Sequence, residues 1–227
     1  MLAKDDQQSD PFQVSHAAAS ALMTAVDHLH ALRRMTMDCE VCHPNGMTFQ
    51  ITVHWTLLRA ALENGSRAIW LLGPEDRSER VLRVLRLQAD NVANSDAAAQ
   101  KLPSGPTEPK AQRIARVKEI ADRAGLSRGK AVAKVGYGEI VRYAGDFVAN
   151  EADHVEFLWR ACSGAAHGDT WAILSLQDRE PIDSANGITT MRLTVSVRGL
   201  SMVAQEVTAL VEAGFGLFDY RDQQPPR

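Results

Sequence analysis

Residues Ile51 to Pro74 read ITVHWTLLRAALENGSRAIWLLGP, and this stretch decides the fold. Leu57, Leu58, Ala61, Leu62, Ile69 and Leu72 recur at helical spacing, which lines one face of an α-helix with apolar side chains. Gly73-Pro74 closes the run, because Gly accepts a left-handed cap and Pro cannot extend a helix. Its opening, Thr48 to Val53, alternates as a strand would, but it leads straight into the helix and reads as a turn or short extended lead-in.

The same period extends to either side. Residues 13–36 place Leu22, Val26, Leu29, Leu32 and Met35 on one stripe. Asp76 followed by Glu79 resembles a capping box and opens another helix, with Val81, Leu85 and Val92 on its apolar side. A weaker amphipathic helix is expected over 109–125, carrying Ile114, Val117 and Ala121. Residues 136–148 fit helix or irregular chain, since Gly136, Gly138 and Gly145 weaken a helix there. Near the carboxyl end Met191, Leu193, Val195 and Val197 alternate with polar residues, the pattern of a half-buried strand. Its expected partner is Trp171–Gln177, joined through a polar loop at Asp178–Gly187, and a last helix is expected over about 200–218. The expected fold is mainly α: a helical bundle with a small C-terminal β-hairpin.

Composition agrees. The chain has 227 residues, 45% hydrophobic and 23% charged, with a net charge of −3. A chain of this size buries roughly 70–75% of its unfolded surface without needing a staple. The balance of charge argues against binding nucleic acid or membranes through bulk electrostatics. One domain over 11–220 is expected, broken by a polar loop at 95–110 that contains Pro103, Gly105, Pro106 and Pro109. Residues 1–10 and 221–227 offer too little apolar surface to order themselves and are expected to be loose. With no signal-peptide core in Met1–Asp10, no apolar run of membrane-spanning length and three cysteines, the chain is expected to be cytoplasmic and free of the membrane.

Two words carry chemistry. Cys39-Glu40-Val41-Cys42-His43 has the spacing that attaches c-type haem, a chemistry of exported proteins. A zinc reading through Cys39, Cys42 and His43 needs a further ligand, and no second Cys-x-x-Cys or paired-His motif supplies one. The simplest reading is a turn that holds two thiols by chance, so no cofactor is expected and zinc is the weaker alternative.

The second word is Phe157-Leu-Trp-Arg-Ala-Cys-Ser-Gly-Ala-Ala-His167. Arg160 and His167 are seven residues apart, nearly one helix face, with a rise of roughly 10 Å between them. Ser163 lies on that face, four residues before His167. An imidazole exchanges a proton near neutral pH, and a guanidinium pairs with phosphate oxygens; together they suit a phosphodiester. Arg59, Glu63 and Arg67, at four-residue steps, read as a surface ion-pair ladder or as support for the cleft, with Glu63 orienting Arg59 or Arg160. Between Lys110 and Lys134 eight basic residues stand against Glu119 and Asp122. Arg113, Arg116, Lys118, Arg128 and Lys130 are the candidate phosphate contacts there. No aromatic residues interleave them, so base stacking is not indicated. Phosphate loops, dinucleotide fingerprints, zincin motifs and serine-hydrolase elbows are all missing from the sequence.

Arg160-x6-His167 on a late helix of a helical bundle resembles the HEPN superfamily, whose ribonuclease members carry Arg-x4–6-His. The run Leu57 to Glu63, followed by Ala68 to Leu72, looks like the early helix of bacterial HEPN-like proteins of the abortive-infection kind. The resemblance covers roughly residues 15–170. It departs from the family pattern at Ala161, where a polar residue is usual, and in placing Gly164 within a gap of the maximum length. It implies a metal-independent endoribonuclease, a toxin or phage-defence effector, with Arg160 stabilising phosphate and His167 as acid or base. It also implies RNA as partner, a homodimer, and an antitoxin or other protein partner. A reading of another class requires no chemistry: the same bundle as a non-catalytic interaction or regulatory protein.

Overall fold

The helix legible in residues 51–74 runs from Val53 to Leu72 and is the axis of the molecule. The computed structural model describes residues 2–37, 46–148 and 152–223. Along them lie α1 (Leu2–Ser9), α2 (Val14–Thr36), α3 (Val53–Leu72), α4 (Arg77–Ala99), α5 (Lys110–Arg123), α6 (Arg128–Ala131) and α7 (Tyr137–Phe147). They are followed by α8 (Ala152–His167), α9 (Thr170–Leu176), β1 (Gln177–Ala185), β2 (Ile188–Val195) and α10 (Val197–Gln223). The protein is mainly α with one small antiparallel hairpin.

Because α3 is apolar on nearly every side, it must be surrounded, and α2, α7, α8 and α10 pack around it. Trp55, Leu58, Ala61 and Leu62 are fully buried there against Val141, Val155, Leu158, Val207 and Leu210. A second cluster forms where the end of α3 meets α4 and α5, with Trp70, Leu71 and Leu72 against Val81, Leu85, Val117 and Ile120.

Several local expectations change. Gly73 is not left-handed: its φ is −63°, so Pro74 ends α3. A side chain at Gly73 would instead meet the Tyr143 Oη at 2.7 Å. Asp76 does cap α4, accepting from the Ser78 N–H at 3.0 Å, while Glu79 turns to Arg83 rather than back to the cap. Within residues 136–148 the chain is helical from Tyr137 to Phe147, with Ile140, Val141 and Ala144 giving it a buried face.

The chain ends differ from expectation. Residues 2–9 form a helix, because Leu2 is buried and Asp5 is fully enclosed with Arg80, accepting from its Nε at 2.7 Å. Arg80 also donates to the carbonyls of Pro74 and Glu75. At the other end Arg221 belongs to α10; it is buried and donates to the carbonyls of Leu72, Gly73 and Pro74 and to Glu75. Short polar segments can order when a buried ion pair and saturated carbonyls anchor them, a signal that apolar periodicity does not carry. The expected loop at 95–110 is shorter, since α4 continues to Ala99.

The hairpin is displaced from its expected register. Trp171 to Leu176 lie in α9, and pairing runs from Gln177↔Val195 to Ala185↔Ile188. Asn186 and Gly187 form the two-residue turn, both with positive φ (54° and 77°), as a type I′ turn requires. Of the hairpin only Gln177 is buried, with Leu193 and Val195 half-buried, so it is a projecting arm rather than a core strand pair.

Candidate functional site

The site is built where α3 faces α8. Glu63 lies one turn after Arg59, and its Oε1 accepts from Arg59 Nε at 2.9 Å and from Trp159 Nε1 at 2.7 Å. Those two bonds fix the carboxylate and, through it, the guanidinium. Arg59 Nη1 then reaches His167 Nε2 at 3.3 Å. A guanidinium only donates, so Nε2 is placed as the acceptor of this contact.

His167 is the last residue of α8, and the way the helix ends holds it there. Gly168 adopts φ +80°, the Gly168 N–H bonds to the Ala165 carbonyl, and the Asp169 N–H bonds to the Gly164 carbonyl at 2.8 Å. This is a Schellman ending, which points the next residues away and leaves the imidazole exposed at the tip. Gly164 does not interrupt α8. It is buried, and a side chain there would lie 2.7 Å from Ala172 Cβ, so it admits the close packing of α9.

Arg160 does not meet His167 directly. Its Nε and Nη2 donate to Glu156 Oε1 at 2.9 and 2.6 Å, and its side chain is 61% exposed. Arg142 binds the same Glu156 and also pairs with Asp153. Hydrogen bonds from Arg142, and after it from Arg160, hold the Glu156 carboxyl below the usual carboxylate range. The guanidinium of Arg160 also lies 5.6 Å from the centre of the Trp159 ring. One run of contacts therefore links Arg160, Trp159, Glu63, Arg59 and His167. Ser163 is half-buried and makes no side-chain hydrogen bond among the described residues.

The basic segment lies elsewhere in the packing. α5 and α6 pack chiefly on α4, whereas α8 packs on α3, α7 and α9. Arg116 is tied to Glu108, Arg128 to Asp122 and Arg113 to Ser95, while Lys130 is exposed and Lys118 half-buried. The five candidate phosphate contacts are thus partly neutralised and are not gathered beside His167.

Cys39, Cys42 and His43 lie outside the described residues. Among those described, no group of three or more His, Cys, Asp or Glu side chains is placed to hold a metal ion. His54 is buried and structural, bonded to Thr36 Oγ1 and to the backbone of Gln50. Burial pushes the Cys162 thiol up to about 12, which keeps it protonated and unreactive at neutral pH. No helix among the described residues is long and apolar enough to cross a membrane.

Sequence reasoning singled out Arg59, Glu63 and His167 but did not join Arg59 to His167, and it passed over Trp159. A tryptophan one position before the candidate arginine was the available signal, since a buried indole N–H needs an acceptor. Compared with protein-family models, curated proteins and solved structures, the chain matches none of them.

Proposed function

We propose that the Arg59–Glu63–His167 surface is a phosphodiester-cleaving centre acting on RNA. The observation that carries this reading is the Arg59 Nη1 to His167 Nε2 contact at 3.3 Å, with Glu63 and Trp159 fixing the arginine from behind. An entering phosphate draws the Arg59 guanidinium to its oxygens and releases Nε2. His167 then takes the proton of the ribose 2′-hydroxyl as that oxygen attacks phosphorus. The P–O5′ bond breaks, the leaving oxygen takes up a proton from water, and the products are a 2′,3′-cyclic phosphate and a 5′-hydroxyl. Arg59 stabilises the charge that gathers on the phosphoryl oxygens, and Arg160 adds positive potential along the same face. Arg59 thus takes the role that sequence spacing assigned to Arg160.

A mixed structured RNA pool incubated with the protein in EDTA tests this. The parent protein is expected to give 2′,3′-cyclic ends, and His167→Ala to reduce the rate by about 10²–10⁴-fold, the usual worth of a general base. Cleavage that persists in both His167→Ala and Arg59→Ala rejects the reading.

A second reading is favoured by a separate observation. Trp171, Ile182, Ile188 and Met191 are large apolar side chains left exposed on α9 and the projecting hairpin. That arm suits contact with a protein, and a non-catalytic interaction role predicts no cleavage in the same assay.

A further inference from the structure

Beside α3, the helices α2 and α4 and the start of α7 border a cleft of about 340 Å³. A second opening of about 300 Å³ shares Arg67, Asp90, Asn94 and Tyr137 with it and adds Lys134 at its rim. The size suits a small molecule.

Arg67 is half-buried on α3, and its Nη2 donates to the Tyr137 hydroxyl. Its Nε is buried without a hydrogen-bond partner, and no carboxylate pairs with it among the described residues. Asp90 is half-buried on α4, and its Oδ2 accepts at 3.1 Å from the Asn94 side-chain amide. It too has no cationic partner among the described residues, and it does not pair with Arg67. Asn64 donates to the Ala60 carbonyl, which leaves its own amide oxygen available, and Gln88 and Asn91 complete a border rich in amides.

A buried guanidinium donor without an acceptor costs free energy, as does a partly desolvated carboxylate without a cation. Elsewhere in this protein buried arginines are saturated, as Arg80 and Arg221 show. A purely anionic ligand would be attracted to Arg67 and repelled by Asp90. A purely cationic one would meet the reverse, with Lys134 adding to the repulsion. A ligand that carries both charges satisfies both.

We infer that this cleft binds a free α-amino acid with a polar, uncharged side chain. Its carboxylate pairs with Arg67, its ammonium with Asp90 and the Asn64 amide oxygen, and its side chain meets the amides of α4. This inference is independent of the Arg59–His167 centre and of RNA cleavage.

Calorimetric titration of the full chain with L-glutamine tests it, beside two analogues that each lack one charge. Glutaramate lacks the ammonium, and 4-aminobutanamide lacks the carboxylate. Binding of glutamine is expected, and each analogue should bind about tenfold or more weakly, the worth of one charged hydrogen bond. Asp90→Asn should weaken glutamine and strengthen glutaramate, which is freed from the repulsion of the carboxylate, a difference that loss of folding cannot imitate. If glutamine does not bind, the remaining amino acids with polar, uncharged side chains are titrated in turn, and binding by none of them at millimolar concentration overturns the inference. Equal affinity for glutamine and its analogues overturns it as well. So does tighter binding of adenosine monophosphate that Asp90→Asn strengthens, which would mark a phosphate site.

Discussion

Arg80 and Arg59 sit in contrasting regions. Where α1 meets α4, Arg80 is fully buried and spends Nε, Nη1 and Nη2 on Asp5 and on the carbonyls of Pro74 and Glu75. Where α3 meets α8, Arg59 spends Nε on Glu63 and Nη1 on His167, and its Nη2 has no partner among the described residues. A guanidinium whose donors all meet fixed acceptors can only hold the fold together. One that is oriented by a carboxylate and keeps a donor at the surface can bind something from outside. Occupancy of donors, rather than the presence of arginine, separates the structural end of this molecule from the end proposed for chemistry.

The largest effect tests the structural end. Arg80→Met leaves buried Asp5 with only the half-exposed Arg77 as its cation and strips the Pro74 and Glu75 carbonyls of their donor, and should cost about 3 kcal/mol of unfolding free energy in a denaturant titration. A loss under about 1 kcal/mol would mean that Arg77 alone compensates Asp5, and the contrast with Arg59 would fail. Next comes the packing that presents His167. Gly164→Ala forces a methyl against Ala172 and the Trp171 ring and should cost about 1–3 kcal/mol by overpacking. Hydrogen exchange should show the loosening concentrated in α9.

The smallest effect belongs to the exposed charges. Glu156→Gln should change stability by no more than about 0.5–1 kcal/mol at neutral pH, because Arg142 and Arg160 are solvated. Its carboxyl is held below the ordinary value, so its contribution is present above about pH 4.3 and is lost as pH falls through the lower folded value. Melting curves from neutral to acid pH should therefore converge for the parent and Glu156→Gln at the acid end.

Much of the fold was legible because α2, α4 and α10 each bury one periodic apolar face and α3 buries a wider one. The misplaced pieces obey other rules. α1 is ordered by the Asp5–Arg80 pair, whose members stand 75 positions apart, and no local pattern announces such a bond. The hairpin register is set by Asn186-Gly187, a turn signal that the alternation of Met191 to Val197 obscured. At the candidate site, Arg59–Glu63 was readable as a one-turn pair and His167 as a helix-end histidine. Their meeting is a product of how α8 packs on α3 across 108 residues, so spacing along the chain favoured Arg160 instead.

The central claim is that the arginine with an oriented guanidinium beside His167 does the chemistry, and not the one with the family-like spacing. Initial rates of RNA cleavage in EDTA, measured side by side for the parent, Arg59→Ala and Arg160→Ala, test it most directly. The account predicts a loss of about 10²-fold or more for Arg59→Ala, as for removal of one charge-stabilising donor group, and at most about tenfold for Arg160→Ala. Loss of activity in Arg160→Ala with Arg59→Ala still active would contradict it.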